Sequence, residues 1–163
     1  MQEEKYYVEI ESYIKRNEIG KRKRILEENY DTSNNYWEIG RLLIEAQGGE
    51  KRAKYGNELI KKWSAKFSEA YGVGYNATNL KRFRQFFITF PKGAPLGHLS
   101  WTHIRTLLPI KDINKRNYYI NICIERNLSK RKLEEEIKSN SYERLIDKPK
   151  NTELIVPKRK YFF

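Results

Sequence analysis

Between residues 21 and 47 the apolar and small side chains advance in alternating steps of four and three: Leu26, Tyr30, Ser33, Trp37, Gly40, Ile44. Such steps return to one side of an α-helix, whereas a strand changes face at every residue. The run KRKRILEENYDTSNNYWEIGRLLIEAQ is therefore read as a long helix, and Gly48-Gly49 stops it. Two of the six seam positions, Ser33 and Gly40, are small. Small residues let a neighbouring helix approach closely, which suits a helix of a bundle. A homodimer through helix 21–47 is the other arrangement a heptad-like seam allows.

The remaining segments follow the same period. In residues 3–18, Tyr6, Ile10 and Tyr13/Ile14 share one helical face, and Gly20 is expected to weaken or end that helix. Residues 55–71 are amphipathic, with Leu59/Ile60, Trp63 and Phe67 facing inward and Lys61, Lys62 and Lys66 outward. Gly72-Val73-Gly74 breaks this helix, and Asn76 caps the next, 77–90. A Pro/Gly loop runs from Pro91 to Gly97, after which Ser100, Asp112 and Ser129 are expected caps of three further helices. No convincing strand alternation precedes residue 150, and no repeat of fixed period occurs. The expected fold is all-α, a helical bundle in one domain over residues 1–146. An irregular tail, 147–163, carries LIV and YFF pieces that could form a short strand or dock on the body.

Several chemistries find no support. The one cysteine, Cys123, rules out a disulfide framework or a multi-cysteine metal site, and its Ile122/Ile124 flanks mark it as a small core residue. His98 and His103 are five apart, which is not the i, i+4 spacing of a helical metal site, so His103 is expected to meet phosphate or solvent. Glu136-Ile137-Lys138 is formally E-x-K with Asp112 upstream, but Glu134, Glu135 and Glu136 read as a solvated acidic turn of the helix after Ser129. No phosphate-binding G-x-x-x-x-G-K-[ST] is present. Trp37, Trp63 and Trp101 read as core anchors. No catalytic residue, metal or cofactor is expected, and neither is a membrane span or a leader, so the chain is expected to be cytoplasmic.

Charge points to a partner. The chain carries +12 overall, unevenly distributed. Residues 1–50 are net −3, residues 51–105 net +9 (11 Lys/Arg against 2 Asp/Glu), and residues 106–163 net +6. A basic surface concentrated in one segment suits phosphate, as nucleic acid or an anionic membrane. The stretch GYNATNLKRFRQFF lies inside it. On a helix over 77–90, Leu80, Phe83, Phe87 and Phe90 fall on the burying side. Thr78, Lys81, Arg82 and Gln85 fall on the other, with Arg84 and Ile88 at the flank. Hydroxyl, ammonium, guanidinium and amide groups are those that bond phosphates and base edges. Helix, tight turn and polar-faced second helix over about 56–90 match a helix-turn-helix, whose second helix enters the major groove N-terminus first. Asn76 to Asn79 would then offer free N–H groups to a phosphate. Lys61, Lys62, Lys66, Arg84 and Arg105 are candidate phosphate contacts. The KRKR tract at 21–24 reads as a solvated helix start, an address or a further contact. RNA binding shares the same electrostatics, and a protein-interaction module meeting an acidic partner is the alternative of a different class.

The pieces NYWEIGRLLIEAQ, AKYGNELI, FSEAYGVGYNATNLKRFRQFF, LSWTHIRTLLPI and LSKRKLEEEIKSNSYERL, in that order, resemble the N-terminal domain of the YhcG family, over roughly residues 25–146. In that family the helical domain usually precedes a PD-(D/E)XK nuclease-like domain, and the group is regarded as DNA-associated. The resemblance implies a non-enzymatic domain that works with a nuclease in trans, because little chain follows residue 146. A second likeness, from NLKRFRQFF through LSKRKLEEEI, is to the helix-turn-helix region of ParB-type partition proteins. It implies Thr78, Lys81, Arg82 and Gln85 as DNA contacts. The ParB nucleotide-binding box is absent.

Overall fold

The computed structural model describes residues 2–53, 56–92, 96–97 and 99–147. Its elements are α1 (Gln2–Ala46), α2 (Glu50–Ala53), α3 (Glu58–Tyr71), α4 (Ala77–Thr89), α5 (Trp101–Leu107), α6 (Ile113–Glu125), α7 (Lys130–Lys138) and α8 (Ser141–Ile146), with a 3-10 turn at Val73–Tyr75. The fold is all-α, with no strand among the described residues. The tail pieces LIV and YFF, and His98, lie outside those residues.

The first helix corrects one expectation. Gly20 neither ends nor divides it: α1 runs unbroken for 45 residues. A glycine costs a helix about 1 kcal/mol against alanine, which is too little to break one supported on both sides. The flanks carry the helical ion pairs Lys15–Glu11 and Lys21–Glu18, each at 3.3 Å. KRKR consequently sits mid-helix and exposed rather than at a helix start.

The seam of the long run is used within the chain. Trp37, Gly40, Leu43 and Ile44 are the buried residues of α1, and its main neighbour is α4. At Gly40 the backbones touch: a Cβ there would overlap the carbonyl oxygen of Phe83 and lie 2.6 Å from its carbon. The close approach expected of the small seam residue is thus made to α4. From Trp37 onward the seam faces the chain's own α4, as a bundle helix would, and the alternative homodimer through 21–47 does not use that part of it. Upstream, Tyr30 is 56% exposed.

α4 divides the core into two clusters. Leu80 and Phe83 join Leu43 and Ile60 on one side. Phe86 and Phe90 join Trp37, Ile104, Leu107, Tyr119, Ile122 and Leu133 on the other. The residue expected to bury, Phe87, is only half-buried and meets Trp37 edge-on at 5.0 Å, while Phe86 is buried. Burial on two flanks exchanges Phe86 for Phe87 and leaves Leu80, Phe83 and Phe90 buried as expected. The Trp37 indole N–H donates to the Phe90 carbonyl at 2.8 Å, closing the end of α4. Arg116 donates to the Ile110 carbonyl and stacks over the Phe90 ring, 5.1 Å from its centre.

The expected caps form. Asp112 accepts from the Asn114 and Lys115 amides, and Ser129 from that of Lys132. Ser100 accepts from the His103 amide. Two short helices, α2 and α8, were not expected. Asn140 at φ 56° reverses the chain into α8. Cys123 is buried among apolar neighbours, and burial pushes its thiol up to about 11.

Candidate nucleic-acid interface

The candidate surface is built by the reversal between α3 and α4. α3 ends where Gly72 adopts φ 99°, a conformation side-chain-bearing residues rarely take. One 3-10 turn follows, and Asn76 starts α4 by accepting the Asn79 amide at 2.9 Å. The Asn79 side chain is held at both ends: its Nδ2 donates to the Gly74 carbonyl (3.0 Å), and its Oδ1 accepts from Arg82 (3.2 Å). Turn, cap and first outward guanidinium are therefore one bonded unit.

The polar ridge of α4 stands as the periodicity implies. Thr78, Lys81 and Gln85 are exposed, and Arg82 is half-buried. No acidic residue occurs anywhere on α4. Lys61, Lys62 and Lys66 are exposed on α3. At 100° per residue they share its outer face with Glu58 and Glu69, so that face is much less cationic than the α4 ridge. Arg105, on α5, is half-buried.

Two candidates have other commitments. Arg84 turns toward the interior, where its Nη1 donates to the Gln47 side chain and the Ala53 carbonyl, both at 2.7 Å. Gln47 in turn donates to the Gly56 carbonyl. Burial holds the Arg84 guanidinium below its ordinary pKa. This side chain ties α4 to the α1–α3 connection and does not face outward with Lys81. Gln85 donates its amide N–H to the Leu108 carbonyl at 3.2 Å, which leaves its oxygen for another partner.

His103 is also internal. Its Nε2 lies 2.8 Å from the Leu128 carbonyl and its Nδ1 2.6 Å from the Ser100 hydroxyl. A carbonyl only accepts, so Nε2 carries the proton and Nδ1 accepts from serine. The expected phosphate or solvent contact is replaced by a link between α5 and the α6–α7 turn. Asp112 is a cap, while Glu134 and Glu135 pair with Lys130 and Arg131. Among the described residues no group of three or more His, Cys, Asp or Glu could hold a metal ion. Among the described residues no helix is long and apolar enough to cross a membrane.

Sequence reading overlooked two features here. Tyr71 and Val73, at the turn beside the start of α4, are 75% and 81% exposed. Phe67, expected inside, is instead half-open on an apolar groove of about 810 Å³, whose lining includes Ile39, Leu42, Trp63, Tyr71 and Tyr75. The interruption GVG signals the turn; nothing in the helical period alone shows that α3 and α1 diverge above α4.

Comparison with known proteins gives a family. Residues 9–144 match the model of the DUF1016 N-terminal domain. A curated relative from Escherichia coli (strain K12), named "Putative nuclease YhcG", is 32% identical over 146 residues, an alignment covering 68% of this chain and 39% of the relative. The chain thus spans well under half the length of the relative it matches. No solved structure shows a significant match.

Proposed function

The chain belongs to the family of the DUF1016 N-terminal domain, and from that premise we propose that it is a non-enzymatic, cytoplasmic DNA-binding module that recruits or positions a nuclease. The observation that carries this reading is the α4 ridge. Thr78, Lys81 and Arg82 face outward on a helix without a single carboxylate, fixed at its start by Asn76 and Asn79. In this reading α3, the 3-10 turn and α4 act as a helix-turn-helix. The α4 ridge, with the oxygen of Gln85, meets base edges, and Lys61, Lys62, Lys66 and Arg105 meet phosphates. The nuclease named in the relative supports a nucleic-acid context.

Salt titration of duplex binding by fluorescence anisotropy tests it. Neutralising about six phosphates gives a slope near −5 in log affinity against log salt. Lys61→Ala with Lys62→Ala weakens binding evenly across sequences, whereas Arg82→Ala reduces sequence preference. Absence of binding to any duplex at low salt rejects the reading, and preference for structured RNA over duplex redirects it.

The apolar groove beside α3 favours a second reading, a protein-interaction module that seats an apolar segment of the nuclease. A complex with a nuclease-like chain that survives charge reversal at Lys81 and Arg82, without duplex binding, supports that reading instead.

A further inference from the structure

No residue of α1 before Trp37 is buried, yet that part of the helix is not polar all round. Tyr6, Tyr7, Ile10, Tyr13 and Ile14 are each 54–65% exposed. At 100° per residue they fall, with Glu3, Asn17, Gly20, Lys21 and Arg24, within an arc of about 140°. The arc faces away from the side by which Trp37, Gly40 and Ile44 meet α4. Val8 and Ile19, also exposed, lie on the opposite side, but five of the seven exposed apolar residues in 3–24 share this arc, and large apolar faces on soluble proteins mark interaction sites. The positions repeat every seven residues (3, 10, 17, 24 and 7, 14, 21), the period of helix pairing.

Charge selects the occupant and its direction. The early part of the arm is acidic, with Glu3, Glu4, Glu9 and Glu11 against Lys5, and the KRKR tract follows at 21–24. A parallel, in-register copy would set Glu3 against Glu3 and Lys21 against Lys21. An antiparallel copy sets the acidic end of each helix on the basic tract of the other. When residue numbers of facing positions sum to 24, Glu3 meets Lys21, Tyr7 meets Asn17 and Ile10 meets Ile14, each twice across a two-fold axis. Lys21 pairs with Glu18 in its own chain and borders the groove between α1 and Ser100, His103 and Leu128; the pair is exposed on both sides, so the exchange costs little.

We propose that residues 3–24 of α1 pair antiparallel with the same segment of a second copy, making the chain a homodimer through its N-terminal arm. The axis crosses near residue 12, about 42 Å along the helix from Gly40, so the two α4 helices stand roughly 84 Å apart. That spacing exceeds the ~34 Å of adjacent major-groove turns. The dimer therefore joins two separated sites, and it does not depend on what α4 binds.

Cysteine cross-linking and mass in solution test the proposal on the whole chain. Light scattering across about two decades of concentration gives a dimer in equilibrium with monomer. Ile10→Asp with Ile14→Asp raises the dimer dissociation constant about 100-fold or more, without lowering the monomer's thermal midpoint, since neither residue belongs to the core. Native Cys123 is buried. Glu3→Cys together with Lys21→Cys forms an oxidised dimer, whereas Glu3→Cys alone does not. Positions 3 and 21 of one helix are about 27 Å apart, so the link cannot close within a chain. Cross-linking of Glu3→Cys alone shows a parallel pair and overturns the proposal. So do a strictly monomeric chain, a dimer indifferent to the aspartates, and an arm that instead captures a nuclease-like chain.

Discussion

Arg84 and Lys81 lie only about 60° apart around α4, but one faces the interior and the other solvent. Arg84→Met removes the donor that serves Gln47 and Ala53. It should cost about 1–3 kcal/mol in urea denaturation and leave duplex affinity within twofold. Lys81→Ala should do the reverse, with stability within ~0.5 kcal/mol of the parent and weaker binding. Composition treats both as cations, and the helical wheel leaves Arg84 at the flank. Only the position of Gln47, on a different helix, decides which way the flank turns. A second residue-scale consequence concerns acid. Lys115 donates to Glu143 at 2.6 Å, and this bond holds the Glu143 carboxyl below its ordinary 4.5. The pair therefore stabilises the fold above about pH 4.5, and that contribution is lost as pH falls through the lower folded value. Glu143→Gln should show a lower urea midpoint than the parent at pH 7, and the gap should close toward pH 3.

At the scale of elements, the decisive contact is α1 on α4. Gly40→Ala forces the new methyl against the Phe83 carbonyl, backbone that cannot swing aside. Overpacking of this kind costs roughly 1–3 kcal/mol, occasionally more; the thermal midpoint should fall by several degrees, with helix content retained. The four-three stepping made this helix and its small-residue contact legible in advance, and the caps at Asn76, Ser100, Asp112 and Ser129 were equally legible because each is a local bond. Gly20 does not end the helix: its effect on helix propensity is a small local cost, and a long helix with ion pairs on either side absorbs it. Phe86 and Phe87 were exchanged because a helix packed on two sides has no single inward direction for a wheel to find. For His103 the period suggests phosphate or solvent, because its acceptor, the Leu128 carbonyl, is 25 residues away in the chain.

Taken whole, the molecule is a packed body around α4 with most of a long helix outside its core. Amide hydrogen exchange should separate the two. In dilute monomer the amides of Tyr6–Ile25 should exchange at least ~10-fold faster than those of Trp37–Ala46. Dimer formation should slow the first group and leave the second unchanged. By itself the sequence determined that the chain is helical, where most helices begin and end, and that its positive charge gathers over residues 51–105. Those properties follow from bonds and periodicities spanning a few residues. The tertiary structure alone decided which cations remain outside and which part of the long seam is covered by the chain's own α4. Those outcomes turn on where distant backbones meet, and no local period encodes that.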